Sequence, residues 1–209
     1  MDRRSFIKNS LSGAVALTAS NVVYGQISTP RDAEGPYYPV TSQADKDADL
    51  TRVVGKSGIA QGVVIHIYGQ VVDTEMKVIE NAKIDIWQAN TFGKYHHPND
   101  SSQAPIDENF QAWAVIKSSK DGHFRFKTIM PGAYPFGEKP ENQRTPHIHL
   151  KAEKSGYTPI TTQIYFPGQK QNQTDGLYQR KTPEQRSMMT AVATKRSNEF
   201  LYNLILQKH

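Results

Sequence analysis

The sequence of 209 residues contains no cysteine. This absence excludes disulfide bonds, thiolate metal ligands and a cysteine nucleophile, so any metal ion would be bound by histidine, tyrosine or carboxylate side chains. The sequence also contains no H-x-D or H-x-E pair. The triad of two histidines and one carboxylate that is typical of ferrous oxygenases therefore has no local signature in this chain.

Positive charge is present only in mild excess. The net charge is +5, and it falls to 22 minus 19, or +3, when residues 1–25 are left out. A nucleic-acid-binding surface is typically marked by lysines and arginines clustered among aromatic residues, and the sequence shows no such cluster. The composition therefore predicts no nucleic-acid partner.

The N-terminal segment, residues 1–25, has the pattern of an export signal. Arg3 and Arg4 precede a weakly apolar run from Leu11 to about Tyr24, and the small residue Gly25 follows. This run is shorter and more polar than the roughly 20 apolar residues that a stable membrane span needs. The paired arginines resemble a twin-arginine signal, which predicts export to the periplasm. An ordinary basic signal peptide or a disordered start is the alternative.

The rest of the chain has the pattern of an all-β protein. Residues 26–54 lack periodicity and predict an irregular arm, and residues 55–209 predict one β-sandwich domain. The predicted strands cover residues 62–74, 82–90, 112–119, 122–130, 146–156, 160–168 and 199–206. One short helix is predicted over residues 182–195, because Thr182 before Pro183 is typical of a helix start. Short strands separated by turns favour an antiparallel β-sandwich with long irregular loops, among them residues 91–111.

A pair of histidines, His147 and His149, lies in one predicted strand. Alternate residues of a strand share a face, so both imidazoles point one way and Ile148 points the other. Such a pair is half of a metal site, and the alternative is polar histidine on the wet face of a half-exposed strand. Tyrosines are the next candidate ligands, because a bound trivalent ion lowers the pKa of a phenol and the resulting anionic oxygen favours ferric iron. Tyr95 and Tyr134 stand in loops beside strand ends.

Six short motifs, which include these histidines and tyrosines, occur in order along the chain. They are EGPYYP, DADLTR, IDIWQANTFGKYHH, DGHFRFKTIMPGAYPF, RTPHIHL and TTQIYF. On these segments the chain resembles the intradiol ring-cleavage dioxygenases over about residues 30–206, and within them the protocatechuate 3,4-dioxygenase branch most closely. The resemblance implies a non-haem Fe(III) enzyme that uses O2 to open a catechol-type ring, such as protocatechuate, to a cis,cis-muconate.

The resemblance also assigns the metal ligands. The four iron ligands of the family are matched by Tyr95, Tyr134, His147 and His149. Tyr134 matches the ligand that leaves the metal when the substrate binds, so the resemblance gives it a catalytic role as well.

Four other residues are assigned by the same resemblance. Arg144 matches an arginine next to the bound substrate, and Gln163 matches a glutamine that hydrogen-bonds to this arginine. Trp87 matches an aromatic residue at the substrate pocket. Tyr37, with its neighbour Tyr38, belongs to an arm that approaches the active-site mouth of its own or a neighbouring subunit.

The sequence departs from the branch in ways that leave the substrate open. Phe136 stands where protocatechuate enzymes commonly have tryptophan, and KYHH replaces a more basic segment. The complete ligand set in one chain predicts a homo-oligomer rather than a pair of related chains. Two rival functions remain at this point. One is a non-catalytic exported β-sandwich that binds carbohydrate or protein. The other is a zinc hydrolase that uses His147, His149 and a third histidine such as His97.

Overall fold

The computed structural model describes residues 27–41, 43, 45–137 and 142–209. The predicted export signal, residues 1–25, lies outside the described residues. The described residues form strands β1 (Val64–Asp73), β2 (Lys83–Trp87), β3 (Trp113–Lys117), β4 (His123–Ile129), β5 (Tyr134–Pro135), β6 (Gln143–Arg144), β7 (His147–Glu153), β8 (Ile160–Tyr165), β9 (Val192–Ala193), β10 (Glu199–Leu201) and β11 (Leu204–Leu206). They also form two short α-helices, α1 (Gly176–Gln179) and α2 (Pro183–Met189), and a 3-10 helix at Lys170–Gln173.

The strands form two main sheets and one small hairpin. In the first sheet β1 pairs with β4 on one side and with β10 and β11 on the other, and β9 extends the sheet beyond β10. The second sheet has the order β3-β2-β7-β8, and all of its pairs are antiparallel. The third unit pairs β5 with β6, which brings Tyr134 opposite Arg144.

The all-β character predicted from the sequence is confirmed, but the first sheet departs from the predicted antiparallel pairing. β1 pairs in parallel with both β10 and β11. The last predicted strand is also divided into two, because Tyr202 and Asn203 leave the regular ladder. The Tyr202 amide donates to the Tyr68 carbonyl, and the Gln70 amide donates to the Asn203 side chain. Gly69 allows the close approach, since a side chain there would collide with the Tyr202 carbonyl.

The helix predicted to start at Thr182 is α2, and its first turn follows from the local sequence. The Thr182 hydroxyl accepts from the Gln185 amide, and the Gln185 side chain accepts from the Thr182 amide. The helix ends at Met189, earlier than predicted, because residues 192–193 pair with β10 as an edge strand. The chain also forms α1, a single turn that Asp175 caps and that the periodicity did not predict.

A single cluster of buried apolar side chains draws members from both main sheets. Ile65 and Ile67 come from β1, while Ile86 and Ile148 come from β2 and β7. Because Ile148 points into this core, the side chains on either side of it along β7 point to the opposite face. That opposite face of the second sheet carries the site described below. None of the described helices is long and apolar enough to span a membrane.

The described residues of the predicted arm, 27–41, 43 and 45–54, contain no helix or named strand but are fastened to the sheets. The Thr29 amide donates to the Ile205 carbonyl, and the Asp32 amide donates to the Thr161 carbonyl. Leu50 is completely buried in the core. These contacts fasten the arm to β11 of the first sheet and to β8 of the second.

Candidate active site

The pairing register of the second sheet places its functional side chains in a row. Trp87 on β2 and Gln163 on β8 are the direct neighbours of His149 on β7. His147, two residues away on the same face, is opposite Tyr165. Directly paired residues share a face of the sheet, so these side chains project together away from the hydrophobic core.

The four predicted iron ligands come together at this face. Each is at most 7% exposed. The Nε2 atoms of His147 and His149 are 3.2 Å apart, and the Tyr134 hydroxyl is 3.3 Å from the Nε2 atom of His147. The Tyr95 ring lies 5.3 Å from that of Tyr134 and 6.3 Å from that of His149, measured between centroids. Two phenols and two imidazoles from three separate stretches of the chain therefore converge.

The free atoms of this cluster are those that a metal ion would use. The Nδ1 atom of His147 lies 2.6 Å from the Thr145 carbonyl, to which it donates, so Nε2 retains its lone pair. The Tyr95 hydroxyl is buried without a hydrogen-bond partner in the described part of the chain. Two nitrogens bound at right angles to one ion, each ~2.1 Å from it, lie roughly 3 Å apart. The observed separation of the two Nε2 atoms fits this arrangement.

Burial controls the protonation of the cluster. It raises the pKa of Tyr95 well above the usual value of a phenol, and it raises the pKa of Tyr134 to about 12 although Arg144 opposes the shift. It also lowers the pKa values of His147 and His149 well below the usual value of histidine. In the metal-free chain at neutral pH the cluster is therefore two neutral phenols and two neutral imidazoles. A cation that replaces the phenolic protons would compensate the loss of solvation.

An aromatic wall surrounds the four side chains. Trp87 lies flat on His149, and Tyr38 meets the other side of the indole edge-on at 4.9 Å between centroids. Tyr37 lies 4.6 Å from Tyr95 and is partly exposed. Tyr37 thus contacts a predicted ligand of its own chain. Trp87 is almost completely buried and stacks on the His149 ring.

The predicted partnership between Arg144 and Gln163 is observed. The Nη2 atom of Arg144 donates to the Gln163 carbonyl oxygen at 2.6 Å, and the Gln163 amide donates to the Ala33 carbonyl of the arm at 2.9 Å. Although burial opposes the charge of Arg144, the neighbouring Tyr134, Tyr165 and Asp175 raise its pKa above the usual value. Arg144 is therefore a permanent buried cation beside the cluster.

Three residues of this network were not predicted from the sequence. Asp175 accepts from the Nε atom of Arg144 at 2.9 Å, and Tyr165 accepts from Nη2 at 3.3 Å. Asp32 in turn lies 2.9 Å from the Tyr165 hydroxyl, which donates to it. Tyr165 had a local signal, since it lies two residues after Gln163 and shares its face of β8. Asp175 had none beyond its place before a helical turn.

The neighbours of Tyr95 point elsewhere. The Nζ atom of Lys94 donates to the Asp100 and Ser102 carbonyls, and the Tyr95 amide donates to the Asp100 carboxylate. His97 lies against the Tyr37 ring, at 5.8 Å between centroids. Within the described ranges, no group of three histidine, aspartate or glutamate side chains is arranged to hold a metal ion. The zinc alternative therefore has no third ligand among these residues.

Comparisons with known proteins agree with this site. A family model described as Dioxygenase matches residues 33–208. The chain is 37% identical over 155 residues to the protocatechuate 3,4-dioxygenase beta chain of Burkholderia cepacia, a match that covers 74% of this chain and 66% of the relative. It is 33% identical over 153 residues to a catechol 1,2-dioxygenase of Acinetobacter baylyi, which covers 67% of this chain and 47% of the relative. The chain thus spans about half to two thirds of the length of these relatives.

A solved structure is similar over a larger share of both chains. It is the dioxygenase domain of a dioxygenase carbohydrate-binding protein fusion from Streptomyces sp. SirexAA-E, with a TM-score of 0.66 and 29% identity. The match covers 88% of this chain and 100% of that domain. Together with the family match, which spans most of the chain, this similarity confirms the family predicted from the motifs. The chain belongs to the intradiol ring-cleavage dioxygenase family.

Proposed function

We propose that this protein is a non-haem Fe(III)-dependent intradiol dioxygenase that opens a catechol-type ring with O2 to a cis,cis-muconate. The observation that carries the proposal is the buried convergence of Tyr95, Tyr134, His147 and His149. A non-catalytic binding module would have no need of this arrangement, because gathering two phenols and two imidazoles in one buried cluster costs solvation that a bound metal ion would repay.

The four converging side chains would hold the iron through two phenolate oxygens and two imidazole nitrogens. When bound, ferric iron would supply Lewis acidity that makes a chelated catecholate reactive towards O2. The two phenolates would offset most of the ferric charge in a site that excludes water. His147 is oriented for this role by the hydrogen bond from its Nδ1 atom to the Thr145 carbonyl.

Tyr134 and Arg144 have roles that follow from their positions. A phenol with a raised pKa is a competent base once it is ionised, so the Tyr134 oxygen would accept a proton from the incoming catechol. Arg144 lies opposite Tyr134 in the β5-β6 hairpin and remains charged. It would stabilise negative charge that develops on the substrate ring, and Gln163 would hold the guanidinium in place.

The substrate would be protocatechuate or a related catechol. The relatives include both a protocatechuate 3,4-dioxygenase chain and a catechol 1,2-dioxygenase, which supports the class of substrate rather than one member. The small aromatic ring would meet Tyr37, which lies beside Tyr95 at the partly exposed side of the cluster. We also propose that the protein acts as a homo-oligomer, since one chain carries the complete ligand set.

Absorption spectroscopy tests the proposal directly. The full chain loaded with Fe(III) is expected to be coloured by tyrosinate charge transfer, to change colour when catechol is added without oxygen, and to consume O2 when oxygen is admitted. His147→Ala should abolish the colour and the O2 uptake, whereas His123→Ala, on the exposed face of β4, should keep both. A colourless iron-loaded protein that consumes no O2 with a panel of catechols would refute the proposal.

We propose that residues 1–25 export the protein to the periplasm. The support is the sequence pattern of Arg3 and Arg4 before an apolar run. Conversion of the pair by Arg3→Lys and Arg4→Lys should move the protein from the periplasmic to the cytoplasmic fraction of cells that express the full chain. An unchanged distribution of the double variant would contradict a twin-arginine route.

A further inference from the structure

We propose that Asp175 is a positioning residue for the reaction, because its carboxylate fixes Arg144 and, through Thr145, the imidazole of His147. The inference rests on the proposed function, in which Arg144 faces the substrate and His147 binds the metal. Neither the motifs nor the comparisons assign a role to Asp175. The buried carboxylate of Asp175 thus aligns both Arg144, which acts on the substrate, and His147, which binds the metal.

The hydrogen bonds of Asp175 divide between its two oxygens. Oδ2 accepts from the Nε atom of Arg144 at 2.9 Å and from the Thr145 amide at 2.8 Å. Oδ1 accepts from the Leu177 and Tyr178 amides at 2.9 and 3.1 Å, which caps α1. The Asp175 side chain is completely buried. The Oδ2 atom, which faces the site, therefore accepts from both Arg144 and the neighbouring Thr145.

The two bonds to Oδ2 have different consequences. The bond to Nε holds a second nitrogen of the guanidinium beside the Nη2 that Gln163 holds, so two contacts restrain the plane of Arg144. The bond to the Thr145 amide holds the backbone of the residue whose carbonyl, in the next peptide group, accepts from the Nδ1 atom of His147. A displacement of Asp175 would thus tilt both the cation and one imidazole. Misalignment of this kind is costly, because small errors in position reduce catalysis strongly.

A purely structural role as a helix cap can be separated from this one by substitution. Asp175→Ser should still cap α1, because serine is among the best capping residues. Its shorter side chain cannot reach Arg144 as well. Asp175→Asn keeps the shape and removes the charge, so its amide group must turn towards either the helix or Arg144. Thr182→Ala removes the cap of α2 without touching the site and serves as the stability control.

Kinetics of the iron-loaded variants give the first readout. We expect Asp175→Asn and Asp175→Ser to lower kcat with catechol by about 10- to 100-fold, the range found for residues that orient metal-site groups. The dissociation constant for catechol, titrated without oxygen from the colour change, should change much less than kcat. Thr182→Ala should lower the melting temperature without this loss of kcat. A kcat within twofold of the unmodified protein in both Asp175 variants, or an equal loss in Thr182→Ala, would overturn the proposal.

A second readout needs no iron and no activity. In NMR spectra of the metal-free chain, the Nε–H proton of Arg144 should be protected from exchange with water. This protection should be lost in Asp175→Ser and weakened in Asp175→Asn, whose single carbonyl oxygen cannot serve both the helix and Arg144. Gln163→Ala, which leaves the Nε contact intact, should keep the signal. If the unmodified protein failed to cleave any catechol, the proposed function would fail while this test of the Asp175 contact would remain. An Nε–H signal that is unchanged in both Asp175 variants would refute the positioning role.

Discussion

The indole of Trp87 lies flat on the imidazole of His149, with ring centroids 4.8 Å apart and planes inclined by 9°. The contact follows from the sheet, because Trp87 on β2 is paired directly with His149 on β7. A stacked ring restricts rotation of the imidazole about its own axis. The strand pairing thus orients a proposed metal ligand before any metal binds.

Removal of the indole should weaken the fold and the site together. Trp87→Ala deletes one of the largest fully buried side chains and leaves a cavity behind His149, so we expect the free energy of unfolding to fall by about 3–5 kcal/mol. Urea denaturation of the metal-free chain measures this loss. Trp113→Ala, at a partly exposed position on β3, is the control and should cost less. A loss below about 1 kcal/mol for Trp87→Ala would contradict a tightly packed indole.

Loss of the Tyr95 hydroxyl should have opposite effects on stability and on metal binding. No group in the described part of the chain hydrogen-bonds to this buried hydroxyl, and such an unpaired group costs about 1–3 kcal/mol, so Tyr95→Phe should leave the metal-free chain as stable as before or more stable. The same variant should bind Fe(III) more weakly and lose or shift the charge-transfer band. Thermal unfolding of the metal-free protein and the visible spectrum of the loaded protein measure the two effects.

Tyr202 offers a matched control for this experiment. Its hydroxyl is also buried with no hydrogen-bond partner among the described residues, but Tyr202 belongs to the hydrophobic core and not to the aromatic site. Tyr202→Phe should therefore leave the iron colour unchanged. A metal-free Tyr95→Phe protein that is several kcal/mol less stable than the unmodified chain would show that its hydroxyl has a partner.

Acid should destabilise the metal-free protein through His147 and His149. Burial holds both pKa values well below 6.5, so the unfolded chain binds protons there before the folded chain does. The stability contributed by the neutral imidazoles is complete above about pH 6.5 and is lost as the pH falls towards their folded values. The slope should approach about 1.4 kcal/mol per pH unit for each histidine, or about 2.7 for both. Urea denaturation between pH 7.5 and 5 measures it.

Glutamine substitutions show which histidines cause this dependence of stability on pH. His149→Gln removes one titrating group and should roughly halve the dependence on pH, whereas His123→Gln on the exposed face of β4 should leave it unchanged. A stability that is flat from pH 7.5 to 5 would mean that protons enter the folded cluster freely.

More of the candidate site than of the strand topology could be predicted from the sequence, for a physical reason. His147 and His149 share a face because a strand alternates, so their convergence required only local reasoning. The alternation of side chains along a strand could not predict which tyrosines lie beside these histidines, because Tyr95 and Tyr134 were expected in loops. They were identified from the ordered family motifs. Asp175 escaped prediction because it reaches Arg144 across 31 positions of chain, from a single helical turn without periodicity.

The topology was missed where strand pairing depends on distant segments. Residues 199–206 read as one strand because their apolar pattern is nearly continuous, yet they pair with β1 in parallel as two pieces. Neither the direction nor the break is encoded in local propensity. The break lies where the Tyr202 carbonyl closely approaches Gly69, a contact that only the assembled fold reveals.

Replacement of Arg144 by lysine should separate charge from geometry. Arg144→Lys keeps a cation but loses the planar fork that contacts Asp175 through Nε and Gln163 through Nη2 at once. We expect the iron colour to remain and kcat with catechol to fall by about 100-fold, as found when a positioned charge-stabilising donor is lost. Oxygen uptake measures the rate, and Arg125→Lys on the exposed face of β4 is the control. If Arg144→Lys retained more than a third of the unmodified kcat, a simple positive charge would suffice and the precise hold on the guanidinium would have no catalytic value.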